Sequence, residues 1–147
     1  MNLIGRRIAF GASICAFSLG LTALGQSVSS ADPLAGPQAV TATPSTGLNS
    51  GDTVSYTASG FTGNEQVRVG ECSPTGTEVV CAQATSQHVT TDANGGLTGK
   101  LVVTKTFQGV KADGSPYGLV DCAVSVCGVA VTNDSFNEQA AAVISFN

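Results

Sequence analysis

The sequence predicts an all-β protein, a single antiparallel sandwich of the immunoglobulin type. Three observations lead there. Val, Thr, Ser, Ala and Gly fill short runs in which apolar and polar residues alternate, the period-2 pattern of half-buried strands. Turn residues recur roughly every eight to twelve positions, as in sandwich domains. Helical periodicity is almost absent.

Taken in order, Ala39–Thr43 and Thr53–Ser59 are the first strands, with Pro44-Ser45-Thr46-Gly47 and Ser50-Gly51-Asp52 punctuating the connection. Gln66–Glu71, Val79–Ala84 and His88–Thr91 follow. Asp92-Ala93-Asn94-Gly95-Gly96 is the sharpest turn, because Asn-Gly accepts the positive φ angles of tight hairpins. Leu97–Thr106, Val120–Cys122 with Val126–Val131, and Ala141–Phe146 complete the strands. Phe107-Gln108-Gly109 reads as a turn, and Val110–Tyr117 as a hairpin. The chain has no Trp, so the buried Trp beside an inter-sheet disulfide that marks antibody domains is missing. Burial must come mainly from Val, Leu and Ala, each Val or Leu contributing about 1.5–3 kcal/mol.

The first residues describe a secretory leader. Arg6-Arg7 precedes the apolar run Ile8–Leu24, and Ser29-Ser30-Ala31 is a small-x-small cleavage signal. A membrane anchor is the competing reading, since the run nearly reaches bilayer length. Gly11, Gly20 and Gly25 and the small residues before Asp32 favour cleavage. Cys15 lies within the apolar run, behind bulky Ile14, and is not a lipidation site. The expected organisation is a signal peptide at residues 1–31 and one domain at residues 32–147, secreted and free of the membrane after cleavage.

That domain holds four basic residues (Arg68, Lys100, Lys105, Lys111) against ten acidic ones, a formal charge of −6. An acidic surface repels phosphate backbones, so tight direct binding of nucleic acid by the polypeptide is not expected. Four cysteines remain after the leader, an even number in an oxidising compartment. Three pairings are possible, and local spacing favours Cys72–Cys81 and Cys122–Cys127. A zinc site is disfavoured, because His88 is the sole His and no Cys-x-x-Cys occurs.

Catalysis finds little support. His88, the one imidazole, stands at a strand start and has no evident nucleophile partner. Asp113, Asp121, Glu71 and Glu78 carry carboxyl groups, but no spacing selects an acid–base pair. Asn133-Asp134-Ser135 matches a glycosylation sequon, a frequent three-residue coincidence. Catalytic and metal residues are therefore expected to be none, and binding is favoured over turnover.

Several stretches, in this order, carry a resemblance: Val40-Thr41-Ala42-Thr43-Pro44-Ser45-Thr46-Gly47-Leu48, Val69-Gly70-Glu71-Cys72, Thr91-Asp92-Ala93-Asn94-Gly95, Lys105-Thr106-Phe107-Gln108-Gly109, Asp113-Gly114, Gly118-Leu119-Val120-Asp121-Cys122, Cys127, and Val143-Ile144-Ser145-Phe146-Asn147. The chain resembles the neocarzinostatin family of secreted actinobacterial apoproteins over nearly all of residues 38–147. The cysteine spacings are like those of its macromomycin- and actinoxanthin-like members. The resemblance implies a seven-stranded immunoglobulin-like sandwich with a small two-stranded ribbon flanking a ligand cleft.

It also implies function. Members hold a reactive enediyne chromophore non-covalently, shield it and release it to damage DNA in competing cells, so the antibacterial or cytotoxic effect belongs to the cargo. The implied partner is a hydrophobic small molecule bound to a monomer, and the implied cleft residues are Gly70, Ser73, Val80, Ser86, Ala112, Gly128 and Thr132. Gly70 would admit a ligand close to the backbone, and Thr132 would hydrogen-bond it. The chain departs from the family where aromatic rings line the cleft: those positions are Ser73 or Pro74, Ser86 and Ala112, and the glutamine after the last cysteine is Gly128. The small residues at Ser86, Ala112 and Gly128 are expected to leave volume for a different ligand. The alternative is a structural or adhesive sandwich domain without cargo.

Overall fold

Alternation is realised most strictly in Thr53–Ser59, where Val54, Tyr56 and Ala58 are buried and the residues between them are exposed. A strand with one buried face needs a second layer to cover it, and the chain supplies one. The computed structural model describes residues 36–147; the expected leader at residues 1–31, with Cys15, lies outside the described residues. Ten strands follow in chain order: β1 (Ala39–Thr43), β2 (Thr53–Ser59), β3 (Gln66–Thr75), β4 (Glu78–Ala82), β5 (Gln87–Thr90), β6 (Leu97–Val102), β7 (Thr106–Val110), β8 (Pro116–Asp121), β9 (Cys127–Asn133) and β10 (Gln139–Ile144). Among the described residues no helix is long and apolar enough to cross a membrane.

The strands form two antiparallel sheets. The smaller has the order β1-β2-β6, and the larger β10-β9-β3-β4-β7-β8 with β5 also paired to β3. Along β3 the first half pairs with β5, from Gln66–Thr90 to Val69–Gln87. The second half pairs with β4, from Cys72–Cys81 to Thr75–Glu78. Three strands thus face four (β10, β9, β3 and β5) as a seven-stranded sandwich, while β4, β7 and β8 prolong the larger sheet as a wing.

Val54, Tyr56 and Leu101 of the smaller sheet meet Val67, Val69, Val129 and Val131 of the larger, with Leu48 and Phe61 also in the core. Beneath the wing the core continues through Val80, Ala82, Phe107 and Val120. Gly99 is opposite Tyr56 in the β2–β6 register, and a Cβ there would run into the phenol ring. The Tyr56 hydroxyl donates to Gln87 Oε1 at 3.3 Å, and Gln87 Nε2 donates to the Lys100 carbonyl at 2.9 Å. These bonds tie β5 to the opposite sheet.

Several elements differ from the sequence reading. Leu97–Thr106 is not one strand. It breaks at Val103–Lys105, where the chain crosses from the smaller to the larger sheet, and buried Val103 anchors the crossing through 2.9 Å backbone bonds with Gly51 and Asp52. Phe107-Gln108-Gly109 lies within β7 rather than in a turn. The Asp92–Gly96 turn forms, with Asp92 Oδ1 accepting the N–H groups of Asn94 and Gly96 at 2.8 and 2.9 Å. Of its Asn-Gly pair only Gly95 has positive φ, and the turn joins β5 to β6 across the two sheets. A hairpin needing two positive φ angles is absent there for that reason. The expected bridges Cys72–Cys81 and Cys122–Cys127 are both present, with Cα–Cα distances of 4.0 and 5.5 Å.

Candidate functional site

The outer face of the larger sheet is built by the alternation of β3 and β9. On β3, Val67, Val69, Glu71 and Ser73 point inward, leaving Arg68, Gly70 and Cys72 on the outer face. The register sets Thr132 beside Arg68, Ala130 beside Gly70 and Gly128 beside Cys72. The Cys72–Cys81 bridge crosses two directly paired residues on this same face. Ser86, in the turn between β4 and β5, stands over Gly70; a Cβ on Gly70 would lie 3.4 Å from the Ser86 Cβ. Gly70, Ser86, Gly128 and Thr132 therefore share one face with a covalently stapled hairpin.

The other three residues expected in the cleft are placed differently. Ser73 and Val80 are opposite one another one step beyond the Cys72–Cys81 pair, and both are fully buried. They face the interior, so they do not line an outer cleft. The physical reason is the strand period: neighbours of a disulfide-bonded pair point to the other side. Ala112 is exposed in the Lys111–Ser115 turn, which closes through a 2.9 Å bond from the Lys111 N–H to the Ser115 carbonyl. The Lys111 Nζ to Glu78 Oε2 ion pair, 3.1 Å, holds that turn to the β3–β4 hairpin.

Gly128 does not leave the volume that its size promised. A Cβ there would sit 2.7 Å from the Ala142 carbonyl oxygen on β10. Its smallness lets two strands approach, and a large side chain at this position would break the β9–β10 ladder.

A concavity of about 500 Å³ opens where β4 and β7 diverge. Its walls are Ala82, Gln83, Ala84 and Thr85 on one side and Thr104, Thr106, Phe107, Gln108 and Val110 on the other. None of the seven expected cleft residues lines it. The motif Lys105-Thr106-Phe107-Gln108-Gly109 stood out in the sequence, but reading it as a turn hid the alternation that turns Thr106, Gln108 and Val110 to one side. A second concavity of about 410 Å³ lies near Thr57, Val89, Asp92 and Thr98.

Glu71, at the end of the expected strand Gln66–Glu71, is fully buried on β3. Its Oε2 accepts the Thr104 N–H at 2.9 Å and the Thr104 hydroxyl at 3.3 Å. Its Oε1 lies 3.8 Å from Cys122 Sγ, a disulfide sulfur with no proton to donate. Burial raises its pKa to about 7 from an ordinary 4.5, outweighing the two Thr104 hydrogen bonds that lower it. Glu71 thus fastens the β6–β7 crossing to the floor of the larger sheet.

The remaining carboxylates are engaged separately. Glu78 pairs with Lys111. Asp113 accepts the Ser115 hydroxyl at 2.6 Å and N–H at 2.8 Å, which hold its pKa below the usual value. Asp121 Oδ1 accepts the Ala123 N–H at 2.8 Å. His88 is exposed and opposite Arg68. Among the described residues no three His, Cys, Asp or Glu side chains are grouped to hold a metal. Asn133 of the sequon is buried, and its Nδ2 donates to Glu65 Oε1 at 3.2 Å and also to Asn137 Oδ1. It is a structural amide.

Residues 40–146, running from β1 to the end of the sandwich, match the family described as the Neocarzinostatin family. The chain belongs to that family. It is 34% identical to the antitumor antibiotic C-1027 apoprotein of Streptomyces globisporus, across 91% of this chain and 90% of that relative. It is 42% identical to macromomycin of Streptomyces macromomyceticus, across 76% of this chain and 78% of that relative. The solved structure of macromomycin, at 40% identity, superposes with a TM-score of 0.70 over 75% of this chain and 99% of its own. The solution conformation of apokedarcidin, at 31% identity, gives 0.57 over 75% and 98%. In this neocarzinostatin-family chain the matched span ends at Phe146, which bridges in parallel to Leu48.

Proposed function

We propose that this chain is a secreted apoprotein that holds a hydrophobic small molecule non-covalently, of the enediyne type that the family resemblance implies. The carrying observation is the similarity to a protein named as an antibiotic apoprotein, spanning 91% of this chain. An apoprotein is the polypeptide part of a complex with a non-protein group. Residues 1–31 serve as the signal peptide, and residues 32–147 form the mature, monomeric domain.

The outer face of the larger sheet supports this reading. Gly70 and Ala130 keep the sheet surface low between the stapled β3–β4 hairpin and β10, and Thr132 offers a hydroxyl beside them. Stapled walls lose little freedom when a ligand arrives, which favours binding over an equally sized mobile surface. The ligand site in this reading comprises Gly70, Ser86, Ala130 and Thr132, with Ala112 at its rim. Antibacterial or cytotoxic action follows from the cargo, and the polypeptide, with four cations among residues 32–147, binds duplex DNA weakly at physiological salt. The reading is binding without turnover: the one His is exposed, and each carboxylate named above already has a structural partner.

Native mass spectrometry of the secreted protein, purified in the dark, tests the carrier role. A co-purifying small molecule lost on denaturation is the expected result. A clean polypeptide mass from the producing culture, together with no uptake of an apolar probe at Gly70 or Thr132, would overturn it.

A further inference from the structure

We propose that the concavity between the β4–β5 turn and β7 is a second binding site, for a neutral, mainly apolar molecule or substituent carrying a hydroxyl or amide group. It goes beyond the carrier reading, because no residue assigned to the outer cleft lines it.

Backbone topology creates the space. β4 pairs with β7 only at Cys81–Val110 and Ala82–Gly109. Past that point the chain bulges out through Gln83–Ser86 and continues in the same direction along β3 as β5, while β7 continues alongside towards Thr106 without pairing to it. The gap of about 500 Å³ between these diverging arms falls within the range of small-molecule pockets, roughly 300–1,000 Å³. Ser86, at the end of the same turn, packs over Gly70, so the turn is a wall shared by two separate recesses.

Side-chain chemistry selects the occupant. No acidic or basic side chain lines the concavity, so an ionic ligand would lose hydration without gaining a counter-charge. Ala82, Ala84, Phe107 and Val110 supply apolar contact. Gln83, Thr106 and Gln108 present exposed amide and hydroxyl groups along the same walls, so a ligand polar atom that meets one of them is favoured over a purely apolar one. The opposite wall is already rigid, since Thr104 gives both its N–H and its hydroxyl to Glu71.

The test is an amide NMR titration of the secreted protein with benzamide and phenol as neutral probes and benzoate as the charged control. Saturable shifts at Thr85 and Gln108 with either neutral probe are expected, with benzoate at least about tenfold weaker because nothing offsets the desolvation of its charge. Gln108→Leu should weaken the neutral probes by about tenfold, the loss of one hydrogen bond. Ala84→Trp and, as a second variant, Thr106→Trp alter exposed positions and should abolish the shifts with an unchanged melting curve. Unmoved Thr85 and Gln108 signals with both neutral probes, or equal binding of benzoate, would overturn the proposal. Shifts confined to Gly70 and Thr132 would defeat this site and leave the carrier reading standing. Shifts confined to Thr85 and Gln108 support this site whatever becomes of the outer cleft.

Discussion

The two halves of β3 live in different surroundings. From Gln66 to Val69 the strand alternates exposed and buried residues, with Val67 and Val69 pointing into the sandwich. From Gly70 to Ser73 every residue is buried, and the inward positions hold Glu71 and Ser73 in place of valines. The first half is covered on one side by the smaller sheet. The second half pairs edge to edge with the wing strand β4 and carries the disulfide on its outer face. One half is therefore stabilised by packed aliphatic side chains, and the other by a covalent staple and hydrogen bonds from the crossing segment to the Glu71 carboxyl group. On the carrier proposal the ligand seats beside Gly70 at the start of the second half, where a staple holds shape without filling space.

Removing packing from the sandwich is the strongest way to break this contrast. Leu101→Ala, at a fully buried position of β6, should cost about 2–5 kcal/mol and lower the melting temperature of the whole domain. Unfolding monitored separately in β2 and β8 should then still coincide. Two transitions instead would show that wing and sandwich are not one cooperative unit.

Glu71 sharpens the comparison through pH. Between 4.5 and about 7 the folded chain retains its proton while the unfolded chain has lost it. Raising the pH across that window therefore favours unfolding. The contribution is fully present below about 4.5 and lost above about 7, a difference of roughly 3 kcal/mol. Denaturant midpoints measured from pH 4 upward should fall for the natural chain and stay nearly flat for Glu71→Gln. Equal slopes in the two proteins would mean that the carboxyl is not held in an apolar setting.

A smaller effect is expected from the staple. Replacing Cys72 and Cys81 together by Ala removes a short loop closure worth about 2–3 kcal/mol on the chain-entropy model. Hydrogen exchange should quicken first at Val79 and Val80, in the wing, while Val54 and Tyr56 keep most of their protection. Uniform loss of protection would show that the bridge supports the sandwich as well.

Sandwich strands were legible because they obey period 2 with one wet face: β1 and β2 were expected at the bounds they have. Legibility failed in the wing. β7 was missed because Thr106–Val110 mixes polar residues, Phe and Gly, and because Leu97–Thr106 reads as continuous although it changes sheets at Val103. Ser73 and Val80 were implied as cleft residues by the family resemblance, a carry-over along the sequence that does not record which way each side chain points; both are fully buried. Glu71 is in phase with Val67 and Val69 in the expected strand, but its partners Thr104 and Cys122 lie far along the chain and come to it only in the tertiary fold.

By itself the sequence determined the strand-forming alternation, the acid balance, the family pattern and, through local spacing, the preferred disulfide pairing. Those properties depend on neighbours along the chain, which alternation and spacing record. Tertiary structure alone decided that the Asn94-Gly95 turn joins two sheets, that Gly128 serves a strand contact and that a concavity opens where β4 and β7 part. Each depends on which strands lie side by side across dozens of residues. That choice is made by the cooperative burial of two apolar faces, and no short stretch of sequence contains it.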